Sequence, residues 1–164
     1  MNAGTRLGEM KDAVKAVRFV RTSGAVQDLE ASGIRFSYRK AHLPKGIVAG
    51  VWMQLSRGQK DRIRAVVKEY LRYRKETQPL TLANAGCAFK NPRPDSAGHV
   101  IEAAGLKGFR IGDAQVSEKH ANFIVNRGDA RSTDVIRLIR HIRRRVREHT
   151  GIALELELKI VGEP

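Results

Sequence analysis

The only cysteine of this 164-residue chain stands in Gly86-Cys87-Ala88-Phe89-Lys90-Asn91-Pro92, between a basic helix and a glycine-punctuated segment. A thiol flanked by a glycine, a lysine, an asparagine and a proline has the make-up of an active-site loop, although a lone cysteine taken by itself reads equally as a small apolar residue. Other chemistry is poorly supplied. The five histidines are scattered without metal-ligand spacing, and neither a G-x-G-x-x-G turn nor a phosphate-cradling Walker loop occurs. Glu155, Glu157 and Lys159 alternate near the end of the chain, as the wet face of a strand does.

Lysine and arginine number 31 against 17 acidic residues, a net charge of +14 that attracts phosphates on nucleic acid, on a membrane surface or on a small ligand. Apolar residues make up 41% and charged residues 29%, which suits a folded chain with a core and argues against a disordered tail. The length allows one or two small domains. A single cysteine forms no internal disulfide, no apolar run is long enough to span a membrane, and no secretory signal pattern opens the chain, so a cytoplasmic protein is expected.

Several elements must position the loop. Val14 to Val20 and Val26 to Phe36 alternate apolar and polar residues around Ser23-Gly24, which predicts a hairpin. Ile47 to Leu55 predicts a short buried strand, and Gln59 to Thr77 a helix carrying Ile63, Val66, Val67, Tyr70 and Leu71, closed by Gln78-Pro79. Beyond the loop, Ala97 to Ala104 predicts a short helix stopped by Gly105, and Asn122 to Asn126 a strand. A longer helix capped by Ser132 carries Val135, Leu138, Ile139, Ile142 and Val146, with six arginines between Arg137 and Arg147 on its other positions, and Gly151 ends it. Ile152 to Ile160 alternates strictly, predicting a last strand. The order of elements is that of an α+β fold, not of a doubly wound one.

Taken in order, the blocks Met1-Asn2-Ala3-Gly4 with Leu7-Gly8-Glu9, Phe36-Ser37-Tyr38-Arg39, Gln78-Pro79, Gly86 to Pro92, Ser96-Ala97-Gly98, Ile101 to Gly108, Val116 to Asn126 and Leu154-Glu155-Leu156-Glu157 resemble the C-terminal part of the UDP-N-acetylenolpyruvoylglucosamine reductases. The most specific is the polar string V-S-E-K-H-A-N-F-I-V-N, which no generic helix or strand requires. The resemblance implies a partial FAD-binding domain, with a mixed or antiparallel sheet and a helix, over 1–76. It implies a small α+β substrate-binding domain over 77–150, and a final strand at 151–164 returning to the first part. It further implies that most FAD contacts belong to a segment of the family lying before the M-N-A-G block, so that the chain looks like an N-terminally truncated form of the shorter-loop class.

The family's reaction reduces UDP-N-acetylglucosamine enolpyruvate to UDP-N-acetylmuramate for peptidoglycan, with hydride passing from NADPH to FAD and on to the enolpyruvyl group. By residue-for-residue matching, Cys87 stands where the family usually has a proton-donating serine. A thiol with a pKa near 8.5 is mostly protonated at neutral pH and is able to donate. Arg39 matches the arginine that would hold the substrate carboxylate and stabilise the enolate, although Ala41 replaces a serine often found two positions later. Glu157 matches a catalytic glutamate. Tyr38, Arg74, Lys90 and Asn91, with Lys75, are the expected contacts for substrate and its diphosphate, while His120 and Asn122 shape a turn. Without the resemblance, Arg39 reads as a solvated arginine and Glu157 as strand surface.

Two rival readings compete with this one. The arginine run and the charge suit a basic nucleic-acid-binding module, but three tyrosines, one tryptophan and five phenylalanines with no RRM, KH or zinc-finger pattern make a poor stacking platform. The other rival is an inactive or partner-dependent fragment that lacks flavin until a further segment supplies it.

Overall fold

The computed structural model describes residues 1–5 and 8–162, so Leu7 of the sequence blocks lies outside the described residues. The fold is α+β, and among the described residues every strand pairing is antiparallel. The chain divides into two compact units, Met1–Gln59 and Lys60–Pro164.

In the first unit, β1 (Gly4–Thr5) pairs with β2 (Gly8–Glu9), and β3 (Val14–Arg21) and β4 (Val26–Glu30) form the hairpin expected around Gly24, whose φ is 85°. The second arm is shorter than its alternation suggested. Ala31-Ser32-Gly33 winds into a 3-10 turn, and the chain resumes as β5 (Arg35–Ser37), paired with β6 (Lys40–His42). Small and polar residues at 31–33 offer no apolar side chain to hold the strand on a sheet, so local turn bonding wins there.

β7 (Gly46–Met53) pairs with β3 to complete the order β4-β3-β7. It is a strand as predicted, but it is not buried: Ile47 is 70% and Trp52 42% exposed, and Val48, Val51 and Met53 are exposed as well. Its β-branched and aromatic residues favour extended backbone. Burial, by contrast, needs a covering layer, and among the described residues of this unit no strand takes its outer edge. Arg18, bidentate on Asp28 at 2.9 Å and 2.9 Å, lies 4.9 Å over the Trp52 ring.

The second unit opens with α1 (Lys60–Thr77), at the place expected, yet none of its residues is buried and Ile63, Val66, Val67 and Leu71 are exposed. The unit then lays β8 (Asn84–Cys87), β9 (Arg110–Ile111), β10 (Ala114–Val116) and β11 (Phe123–Asn126) into a sheet of order β8-β11-β10-β9, against which α2 (Ala97–Ala103) and α3 (Ser132–Thr150) close a core. Val100, Ile101, Leu138, Ile139, Ile142 and Val146 fill it, the faces their helical spacing foretold. The cap of α3 falls one residue earlier than predicted, since Arg131 donates its N–H to Asp134 Oδ2 at 3.1 Å, and Gly151 ends the helix at a φ of 75°.

The alternating tail keeps its predicted burial rhythm from Ile152 to Leu156, with Leu154 only 1% exposed, and loses it beyond, where Glu157 is half-buried and Ile160 exposed; it forms a single antiparallel bridge, Leu156 to Phe89, in place of a strand over 152–160. Glu157 donates its N–H to Ala88 O at 2.9 Å and Lys90 to Glu155 O at 2.8 Å. Toward Ile152 and Ala153 the partner segment runs into Pro92 and Pro94, which have no N–H to offer. This pairing lies within the second unit, to which α1 also belongs. Among the described residues no helix is long and apolar enough to cross a membrane.

Candidate functional site

The loop after β8 is held from behind by one asparagine. Asn122, 2% exposed, donates from Nδ2 to Phe89 O at 2.8 Å and accepts from the Phe89 N–H at 2.9 Å, while its own carbonyl accepts from the Ala88 N–H at 2.8 Å. A side-chain amide thus stands in for a neighbouring strand, satisfying a buried peptide that would otherwise be orphaned. The polar string around it explains itself in the same way. Ser117 Oγ accepts from the N–H groups of Lys119 (3.2 Å) and His120 (3.3 Å), His120 Nδ1 accepts from the Asn122 N–H at 3.2 Å, and the His120 ring meets Phe123 edge-on at 4.8 Å. Burial pushes the His120 imidazole below its ordinary value, with nearby Lys107 adding to the effect, which favours the neutral ring that this acceptor role requires.

On this support sits Cys87, at the end of β8 opposite Phe123 and partly exposed, with Gly86 before it at a φ of 82°. Lys90 pairs its Nζ with the Glu155 carboxylate. Asn91 Oδ1 accepts from the Ala97 N–H at 3.0 Å, tying the loop to the first turn of α2, where Ser96 Oγ accepts from the His99 N–H at 3.2 Å. Glu157, partly buried, hydrogen-bonds through its backbone to Ala88, next to Cys87. The second unit therefore brings together Cys87, Lys90, Asn91 and Glu157.

Arg74 stands apart from this group, in the last turn of α1, with Nε donating to Gln78 Oε1 at 3.3 Å. Lys75 and Gln78, together with Ser117 and Lys119, line a hollow of about 340 Å³ beside it, and Lys119 Nζ donates to Lys75 O.

Arg39 and Tyr38 belong to the first unit, in the two-residue turn joining β5 and β6. Arg39 has a φ of 54°, the only non-glycine residue at positive φ among the described residues, and its guanidinium carbon lies 5.0 Å from the centre of the Tyr38 ring. Beneath it is a small built corner that sequence reasoning missed. Asn2, fully buried, donates to Glu9 Oε2 at 2.9 Å and to Ser37 O at 3.3 Å, and accepts from the Lys11 N–H at 3.0 Å. The Lys11 ammonium, the Asn2 amide and the Arg39 charge together hold the Glu9 carboxyl below its ordinary value. A buried asparagine cannot be told from an exposed one by composition; only the M-N-A-G and G-E blocks marked the place.

A family model described as the C-terminal domain of UDP-N-acetylenolpyruvoylglucosamine reductase matches residues 78–161. The chain is 42% identical over 166 residues to the UDP-N-acetylenolpyruvoylglucosamine reductase of Synechococcus elongatus, covering 99% of this chain and 55% of that protein. It is 44% identical over 164 residues to UDP-N-acetylenolpyruvoylglucosamine reductase 2 of Symbiobacterium thermophilum, covering 99% and 53%. The crystal structure of the reductase MurB from Thermus caldophilus superposes with a TM-score of 0.85 at 48% identity, over 97% of this chain and 57% of that one. The chain spans about half the length of the curated relatives it matches.

Proposed function

The chain belongs to the UDP-N-acetylenolpyruvoylglucosamine reductase family, and from that premise we propose that it carries the substrate-handling half of an enzyme reducing UDP-N-acetylglucosamine enolpyruvate to UDP-N-acetylmuramate in the cytoplasm. The observation that carries the reading is the short backbone pairing of Ala88 to Lys90 with Glu155 to Glu157, which joins the segment of Glu157 to the Cys87 loop that Asn122 clamps. The division into part of an FAD-binding domain over 1–76 and a substrate-binding domain over 77–150 is supported by the family model's start at residue 78. The assignment of 151–164 to a strand returning to the first domain draws no such support.

Within this reading Cys87 delivers the proton to the carbon that becomes the lactyl centre. Arg39 binds the substrate carboxylate and takes up charge as the enolate develops, and Glu157 polarises that intermediate. Lys90 and Asn91, on the same loop as Cys87, receive the diphosphate, with Tyr38 and Arg74 as further contacts. Lys90 is already paired with Glu155, so a diphosphate would displace or share that carboxylate.

FAD, re-reduced by NADPH, supplies the hydride in a complete enzyme of this kind. Among the described residues the fit to FAD is partial: the first unit offers Arg39 and an uncovered apolar strand, but no glycine-rich turn opening onto a helix to cradle a pyrophosphate. Most FAD contacts therefore fall to the portion of the family this chain does not span. The uncovered faces of β7 and α1 favour the partner-dependent form of the proposal, in which that portion covers them.

The test is to mix the purified chain with FAD, desalt, and record the flavin band near 450 nm, alone and with the upstream portion of a relative added. Flavin retention with NADPH-dependent reduction of the enolpyruvyl substrate only in the mixture supports the reading. A mixture that retains flavin yet never reduces this substrate overturns it.

A further inference from the structure

We propose that Gly4 and Glu9 are positioning residues for Arg39: Gly4 leaves the space that the guanidinium occupies, and Glu9, anchored by Asn2, supplies the negative charge that keeps it there. The inference rests on the reading of Arg39 as the carboxylate-binding arginine and deepens it.

The geometry has three parts. A Cβ placed on Gly4 would collide with Arg39 Nη1 and lie 3.3 Å from Glu9 Cγ, so the missing side chain of Gly4 is the floor on which both groups rest. Glu9 cannot drift, because Asn2 is fully buried and uses both ends of its amide, donating to Glu9 and Ser37 and accepting from Lys11. Arg39 leaves its turn at a φ of 54°, which fixes the direction in which its side chain departs, over the Tyr38 ring and toward this corner. Lys11 Nζ, 3.1 Å from Glu9 Oε2, is the competing cation, and its side chain is half exposed.

A guanidinium recognises a carboxylate through two parallel N–H donors, so its aim matters as much as its charge. The group that Gly4 would strike is the far end of a flexible side chain, and an alanine there is accommodated by moving Arg39 while the backbone stays. That separates a loss of aim from a loss of fold.

The experiment has two arms. In the 164-residue chain, the Arg39 side-chain Nε–H resonance, identified by its disappearance in Arg39→Lys, is followed in Gly4→Ala and Glu9→Gln. Both are expected to move it toward the free-arginine position, and a resonance that moves in neither overturns the inference. In the substrate-reducing assembly, each variant is expected to lose about tenfold in kcat/KM for the enolpyruvyl substrate, the size of one misdirected charge-assisted hydrogen bond, with flavin reduction by NADPH unchanged. Gly4→Ala combined with Arg39→Ala should be no worse than Arg39→Ala alone, and additive losses overturn the inference. If Arg39→Ala itself loses nothing, the role given to Arg39 falls and the catalytic part of this inference with it; the resonance arm still reports the positioning, so the two failures are told apart.

Discussion

The side-chain amide of Asn122 closes a two-bond ring on the peptide of Phe89, 33 residues away in sequence, with both groups buried. Replacing it by leucine leaves a buried N–H and a buried C=O without partners, each costing about 1–3 kcal/mol. Chemical denaturation of Asn122→Leu should show that loss. Asn122→Asp has a sharper signature: the carboxylate opposes the Phe89 carbonyl at neutral pH, while its protonated form donates again. Its deficit relative to the unaltered chain should therefore shrink as pH falls, and a constant deficit would remove the hydrogen-bond account.

Cys87 offers the direct test of the proton-donor role. In the substrate-reducing assembly, Cys87→Ala should lose about 10² to 10⁴ in substrate reduction, the usual worth of a general acid, while flavin reduction by NADPH survives. Cys87→Ser should retain much of the activity, since a hydroxyl fills the same place. Equal loss of both half-reactions in Cys87→Ala would mean that the residue holds the loop together and does not donate.

His120 should make the second unit acid-sensitive. Burial lowers its folded pKa below the ordinary 6.5, so the unfolded chain takes up the proton first. The neutral ring's contribution is complete above 6.5 and is lost as pH falls from there toward the depressed folded value. His141, stacked 4.2 Å from Phe109, is depressed by burial too and acts in the same direction. Asp95 and Asp113, held low chiefly by the Ser96 and Asp129 N–H groups, lose their contributions only below the carboxylate range. Thermal midpoints measured across mildly acidic pH should fall for the unaltered chain and fall less for His120→Gln. Identical slopes would sink the assignment.

Gly151 ends α3 in the left-handed region, and nothing lies within 4 Å of where a Cβ would stand. Gly151→Ala should therefore cost about 1 kcal/mol from backbone strain alone, and Gly151→Asn less. A substantially larger loss by urea denaturation would point to a packing role that the open surroundings do not provide.

How much of this was written in the residues differs from element to element. α3 was legible because Leu138, Ile139, Ile142 and Val146 repeat at helical spacing and do face the core. The tail from Ile152 was legible as extended chain with alternating apolar residues, but not as a single bridge, because strand length depends on what the partner segment offers. β7 was correctly typed and wrongly buried, and α1 correctly typed, since apolar content reports what a segment prefers and not whether a neighbour is there to cover it. In the site, the Cys87 loop stood out by composition. The Asn122 clamp and the Asn2-Glu9 corner did not, since each depends on pairings of distant residues that no local pattern encodes.

The bare edge of β7 carries a colloidal consequence. Paired to β3 on one side, β7 leaves its outward-facing N–H and C=O groups without a strand partner among the described residues, and with its apolar surface it forms a template on which a second molecule is able to add. What opposes that addition is the mutual repulsion of chains bearing +14 each. Added salt screens the repulsion over a Debye length of about 10 Å at 0.1 M, so the isolated chain should grow turbid as ionic strength rises and clear again on dilution into low salt.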